Sequence, residues 1–375
     1  VLDESAPRWV VDRFAGNSAA GPQFLQGPAR QTGGIGCPRI DAAPDGSVFM
    51  SAGWDNKWAP DRIVRVASDG TLRLVAGGGS IVGDSPAARA MIRVESLRYS
   101  VSDRSIYFVH RTIPCVRRLV EKGGQWFVET VAGRPDRTGS ADGPGKEALF
   151  TEPRSLVVTS SGTVYVLDGT STLRRIEKGQ VMTVVKFSTG SPIVDGPLDK
   201  ATMSITAMSG EICPGEDDDT LYVADHWNFA ARRIDLKAGQ VATVAGMPKP
   251  KEWKPALMAA HDKRYNATAD GPALTHASCN SGCAFVCWDR THGALWMGGP
   301  DEPRLRWLRD GWVRTPLPFS KAAGEKWRAN GLGLKPEETN LMWCHIKAID
   351  SQGRAYVTAA SMQGVWRAYQ KGGAQ

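Results

Sequence analysis

Short runs of β-branched and aromatic residues recur at 47–52, 106–110, 163–168, 220–225, 294–297 and 354–358, and each carries one aromatic in the same place. Those aromatics, Phe49, Tyr107, Tyr165, Tyr222, Trp296 and Tyr356, are spaced by 58, 58, 57, 74 and 60 residues. A supersecondary unit repeated at a fixed interval cannot bury its apolar face alone and must stack against copies of itself. The chain is thereby restricted to an array or a ring of small sheets.

Each run is followed by a turn-rich stretch and a second strand with a basic signature, at 63–66, 116–119, 173–176, 231–234, 304–307 and 365–368. A third strand follows in five units, at 72–77, 127–133, 181–185, 241–246 and 312–315, while the sixth copy stands at the N-terminus, 10–16. Lending that first strand to the last unit closes a ring and hides edges that an open sheet would expose. With a further strand ahead of each aromatic run, as at 153–158 and 345–349, each unit has four strands. The expectation is an all-β, six-bladed β-propeller of four-stranded blades, one domain over 1–375, with 247–282 as a long inter-blade connection. Brief helical turns are expected only near 86–94 and 321–329, where alanines and charged residues cluster.

The order Asp142-Gly-Pro, Ala148-Leu-Phe, Pro153, Gly162-Thr-Val-Tyr-Val-Leu-Asp168, Leu173-Arg-Arg-Ile and Val181-Met-Thr-Val returns in the next unit. There it reads Asp195-Gly-Pro, Ala201, Leu221-Tyr-Val-Ala-Asp225, Asn228, Arg232-Arg-Ile and Val241-Ala-Thr-Val-Ala-Gly246. In these residues the chain resembles the NHL-repeat family of propellers. The resemblance spans nearly the whole chain and weakens in the fifth and sixth units. It implies the propeller fold, and it implies no single activity, because scaffolds, lyases and RNA binders share it.

Repetition also assigns roles. The pairs Arg117-Arg118, Arg174-Arg175 and Arg232-Arg233 look like a nucleic-acid stripe, yet each occupies one position of a repeated strand, which points to pairing within or between blades. Asp168 and Asp225 end equivalent strands, and the Asp-Gly-Pro triplets at 142, 195 and 270 read as turn punctuation. Function is expected where the repeats differ, around the mouth of the axial channel. Aligning the innermost strands puts Arg39, Arg98 and Arg154 near their entrances, with His345 at the corresponding point of the last blade. Converging guanidiniums favour carboxylate, sulfate or phosphate groups; the alternative is separate salt bridges to neighbouring blades.

Of 13 tryptophans, Trp54, Trp58, Trp227, Trp253, Trp327 and Trp343 lie in or beside connections, where they serve either as platforms for a ligand or as plugs that hold loops to the ring. Cys37, Cys283 and Cys344 together with His345 form a candidate soft-metal set, since thiolate and imidazole suit copper or zinc. The plainer reading of the seven cysteines is a local disulfide within 279–287 and buried thiols elsewhere. Amidating lyases that share the fold surround a metal with several inner-strand histidines, whereas here only His345 clearly holds such a position, with His226 as a second candidate ligand or general base.

The chain, 42 % hydrophobic and 23 % charged, has enough apolar residues for a substantial core, and no apolar run approaches the roughly 18 residues of a membrane helix. The opening Val1-Leu-Asp-Glu-Ser lacks the pattern of a signal peptide, as a mature start would. With the sequon Asn266-Ala-Thr268 and the cysteines, it favours an extracellular or periplasmic location. Three functions follow in order: a secreted or periplasmic binding propeller for an acidic small molecule, glycan or protein partner; a metal-assisted lyase or hydrolase with its active site at the axial channel; and RNA binding. The last is ranked lowest because the net charge of +7 is modest, so nucleic acid is not the expected partner.

Overall fold

The structure, a computed structural model, describes residues 8–16, 26–32, 35, 38–52, 61–189, 193–204, 211–246, 270–276, 283–299, 304–318, 344–359 and 364–371. They form six antiparallel sheets around a common axis. From the axis outward, the first blade runs Ile40–Ala42, Val48–Ala52, Arg62–Val66 and Thr71–Gly77, and the second Val94–Tyr99, Ile106–His110, Cys115–Lys122 and Gln125–Gly133. The third runs Pro153–Val158, Val164–Asp168, Thr172–Glu177 and Gln180–Lys186; the fourth Ile212–Pro214, Thr220–Asp225, Ala230–Asp235 and Gln240–Gly246. The fifth runs Phe285–Asp289, Ala294–Gly298, Arg304–Arg309 and Trp312–Pro318. In the sixth, Cys344–Ile349, Ala355–Ala359 and Val365–Lys371 are completed by the N-terminal strand Arg8–Ala15, which pairs antiparallel with Val365–Lys371.

Five blades carry one strand more than the four expected. The Gly-Pro dipeptides 85–86 (Ser-Pro there), 143–144, 196–197 and 271–272, and the segment Gln26–Pro28, each pair with an outermost strand. Proline lacks an N–H and so occupies a sheet edge, which is where all five sit. What reads as a turn in the sequence is therefore also an edge cap. Among the described residues helix is limited to Ala273–His276 and three 3₁₀ turns, one of them, Ala87–Arg89, inside the expected 86–94 stretch; 321–329 lies outside the described residues.

Six apolar clusters hold the wheel together, one between each pair of neighbouring blades. One of them joins the last blade to the first through Ala15, Tyr356 and Val365 on one side and Ile40, Met50 and Val64 on the other. The second strand of each blade is covered on both faces by its neighbours, so Val48–Ala52, Val164–Asp168 and Ala294–Gly298 are buried throughout. The repeated aromatic is fixed by its polar tip: Tyr107, Tyr222 and Tyr356 donate to Asp103, Glu216 and Asp350 of the preceding hairpin, and the Trp296 indole donates to Asp289. The innermost strands lie one against the next in a closed circle, and they line the axial channel.

Candidate functional site

Backbone pairing places channel residues in levels. Opposite the second residue after each repeated aromatic stand Arg39, Ser96, Ser155, Glu211, Phe285 and His345. Opposite the aromatics themselves stand Asp41, Arg98, Val157, Cys213, Cys287 and Ala348. One step further are Ala42, Tyr99, Val158, Pro214, Trp288 and Ile349. Arg39 and His345 thus share a level, Arg98 belongs to the next, and Arg154 lies at a bulge where the register of its strand shifts, as do Glu95 and Lys347. The three arginines do not stand side by side.

At the first level charges neutralise one another. Arg39 meets Glu95 at 3.0 Å and Glu211 at 3.7 Å, and Lys347 meets Glu211 at 2.6 Å and approaches Nδ1 of His345 at 3.3 Å. Burial alone would raise the Glu211 carboxyl, but Lys347, Arg39 and His345 outweigh it and hold it at about 2. Burial, together with the Lys347 cation, pushes His345 down to about 3. At neutral pH the cluster therefore holds an ionised Glu211 and a neutral His345. His226 lies close enough to His345 to depress it further. Arg154 pairs with Glu152 at 2.6 Å.

Arg98 is placed differently. From the second blade its guanidinium reaches across the channel, donating to the carbonyl of Leu97 at 2.8 Å and to that of Ile212 in the fourth blade at 3.3 Å. No carboxylate of the described residues comes within salt-bridge distance of it. The nearby Asp41 accepts the backbone N–H groups of Tyr99 at 2.7 Å and Ala42 at 3.0 Å. Around Arg98 opens a cavity of about 260 Å³ to which all six innermost strands contribute. Pro44, Val101, Arg290 and Ser351 extend its wall toward the hairpins between first and second strands. Among the described residues, the lining of this cavity lies toward that end of the channel.

Of the sulfur candidates, Cys283 is buried with its thiol directed at the Phe285 carbonyl, 3.6 Å away. Cys37 and the side chain of Cys344 lie outside the described residues, as do Trp54, Trp58, Trp253, Trp327, Trp343, the side chain of Trp227 and Cys279. Cys115, Cys213, Cys283 and Cys287 form no disulfide, so none joins the two described members of the 279–287 series. Among the described residues no group of three or more His, Cys, Asp or Glu side chains is placed to hold a metal ion. Glu211, Lys347, Cys213 and Trp288 belong to the site without having stood out in the sequence. Counting back from the repeated aromatics does not align them, because the hairpins between first and second strands differ in length and Lys347 adds a bulge.

Fold and channel together define a six-bladed β-propeller with a cation-bearing axial cavity. Its fold is shared with a protein of unknown function from Bacteroides thetaiotaomicron, at 12 % identity and a TM-score of 0.63, over 97 % of this chain and 76 % of that one. It is shared as well with an auxiliary nutrient binding protein from the same organism, at 12 % and 0.61 over 97 % and 76 %, and one from Bacteroides ovatus, at 12 % and 0.59 over 97 % and 77 %. No protein-family model and no curated protein sequence matches the chain.

Proposed function

We propose that the protein is a binding propeller, of NHL type by its repeat residues, that takes a small anionic molecule into the axial cavity with Arg98 as its anchoring cation. The observation that carries this reading is the Arg98 guanidinium, half-buried and hydrogen-bonded to two carbonyl oxygens, with the Asp41 carboxylate acting on it through space from outside ion-pair distance. A charge removed from water is stable when it is paired, and a carboxylate, sulfate or phosphate would pair with it through short, charge-assisted bonds. Arg39 and Arg154 are already matched to acidic partners and play a smaller part.

Two of the proteins that share the fold are described as auxiliary nutrient binding proteins, in keeping with a binding role. We place the protein in an extracellular or periplasmic compartment, on the sequon at Asn266-Ala-Thr268; no helix of the described residues is long and apolar enough to cross a membrane. The test is calorimetric titration with acetate, phosphate and sulfate. Binding of at least one is expected, weakened about tenfold or more in Arg98→Ala, as loss of a charge-assisted bond implies. Equal affinity in the variant, with an unchanged thermal midpoint, would reject the site.

A further inference from the structure

The level that follows Arg98 toward the hairpins is an apolar ring, with Ala42, Val158, Pro214 and Ile349 on four blades and two large aromatics on the others. Those aromatics are Tyr99 on the second blade and Trp288 on the fifth, opposite blades of a six-membered wheel, and both line the cavity from the edges of the inter-blade clusters they pack against. Each is backed by a ring of its own neighbourhood: Tyr99 stacks on Phe49 with centroids 6.0 Å apart and planes inclined by 17°, and Trp288 stacks on Tyr222 at 5.5 Å and 18°. Tyr99 is held at the backbone too, since its amide donates to Asp41 at 2.7 Å. Two aromatic side chains thus line the cavity beside Arg98, and its wall also carries Arg290, Lys347, Asp41 and Asp350.

We propose that the occupant is an aromatic or similarly flat carboxylic acid, its carboxylate on Arg98 and its ring between Tyr99 and Trp288. This rests on the anion reading above and adds the body of the ligand to it. A carboxylate on Arg98 would accept from the guanidinium N–H groups beside those that reach the Leu97 and Ile212 carbonyls, with the body of the acid in the adjoining apolar level. The cavity, about 260 Å³, is below the roughly 300–1,000 Å³ that drug-sized ligands need, which limits the occupant to a single ring or a short chain. Flat rings gain over saturated ones of equal size by offset stacking on an aromatic wall.

Titration of the full chain with acetate, cyclohexanecarboxylate and benzoate separates the parts. Benzoate is expected to bind about tenfold more tightly than acetate and a few-fold more tightly than cyclohexanecarboxylate, the scale set by aromatic stacking plus burial. In Trp288→Leu or Tyr99→Leu the preference for benzoate over cyclohexanecarboxylate should vanish while acetate binding stays. Benzoate no tighter than acetate, or no tighter than cyclohexanecarboxylate, overturns the aromatic clamp and leaves the Arg98 anion site intact. Failure of all three acids to bind the wild-type chain overturns both, and because these comparisons use the unaltered protein they do not depend on a variant folding.

Discussion

His345 is a histidine that folding keeps from taking a proton. With its folded value at about 3 against an ordinary 6.5, the unfolded chain binds a proton between those limits and the native chain does not, so stability falls as pH drops through that window. His110, buried in the second blade and held at about 4 by burial and by Arg117, adds to the same slope. Glu211 acts in the same direction lower down: its stabilisation is complete above about 4.5 and is lost as pH falls toward about 2. Urea unfolding at pH 7 and pH 4.5 should therefore show a loss on the order of 5 kcal/mol, about half of which His345→Gln removes. A variant with the same pH dependence as the wild type would contradict the assignment. Of this cluster only Arg39 and His345 were legible in the sequence, because both stand at the entrance of an innermost strand, 10 and 11 residues ahead of their repeated aromatics. Glu211 and Lys347 were not, since a one-residue bulge moves a side chain in a way that composition and spacing do not record.

At the scale of the strand, the arginine pairs split their work. Arg174 is fully buried and donates to Asp168, to Asp142 and to the carbonyls of Leu149 and Ala141, lying over the Phe150 ring. Arg232 repeats this on Asp225, Asp195, Thr202 and Val194. Strand alternation turns each of these arginines inward and its neighbour Arg175 or Arg233 outward to surface carboxylates, while the extra residue of the bulge, Val184 or Val244, lies on the adjoining outer strand. The architectural role read from the repetition is what the side chains do: the inner arginine ties the Asp-Gly-Pro loop to the end of the second strand. Arg174→Met would leave the Asp168 carboxylate buried without its cation and should cost about 3–5 kcal/mol, against at most about 1 kcal/mol for Arg175→Ala. Comparable denaturant midpoints for the two variants would refute that division. The outer glycines are constrained likewise. Gly133 and Gly246 sit at φ of +94° and +111°, and a Cβ there would approach the carbonyls of Pro114 and Phe229 to 2.3 and 2.2 Å, which accounts for the recurring Val-Ala-Gly.

At the scale of the molecule, closure of the wheel was the most legible property, because one missing outer strand at the end of the chain and one surplus strand at its start account for each other. Arg8 pairs with Lys371 and Ala15 with Val365, and Trp9 and Val11 enter the cluster between the fifth and sixth blades. Removal of residues 1–16 should strip that cluster and uncover the strand Val365–Lys371, lowering the thermal midpoint by about 10 °C or more or yielding aggregates. An unchanged midpoint would show that the ring does not depend on its clasp. Arg367 donates to Asp12, 355 positions earlier in the chain. During translation at roughly 5–20 residues per second, the first strand therefore leaves the ribosome roughly 20–70 s before its partner exists. Through that interval Trp9, Val10, Val11 and Phe14 have no sheet to join and their apolar surface stays in water.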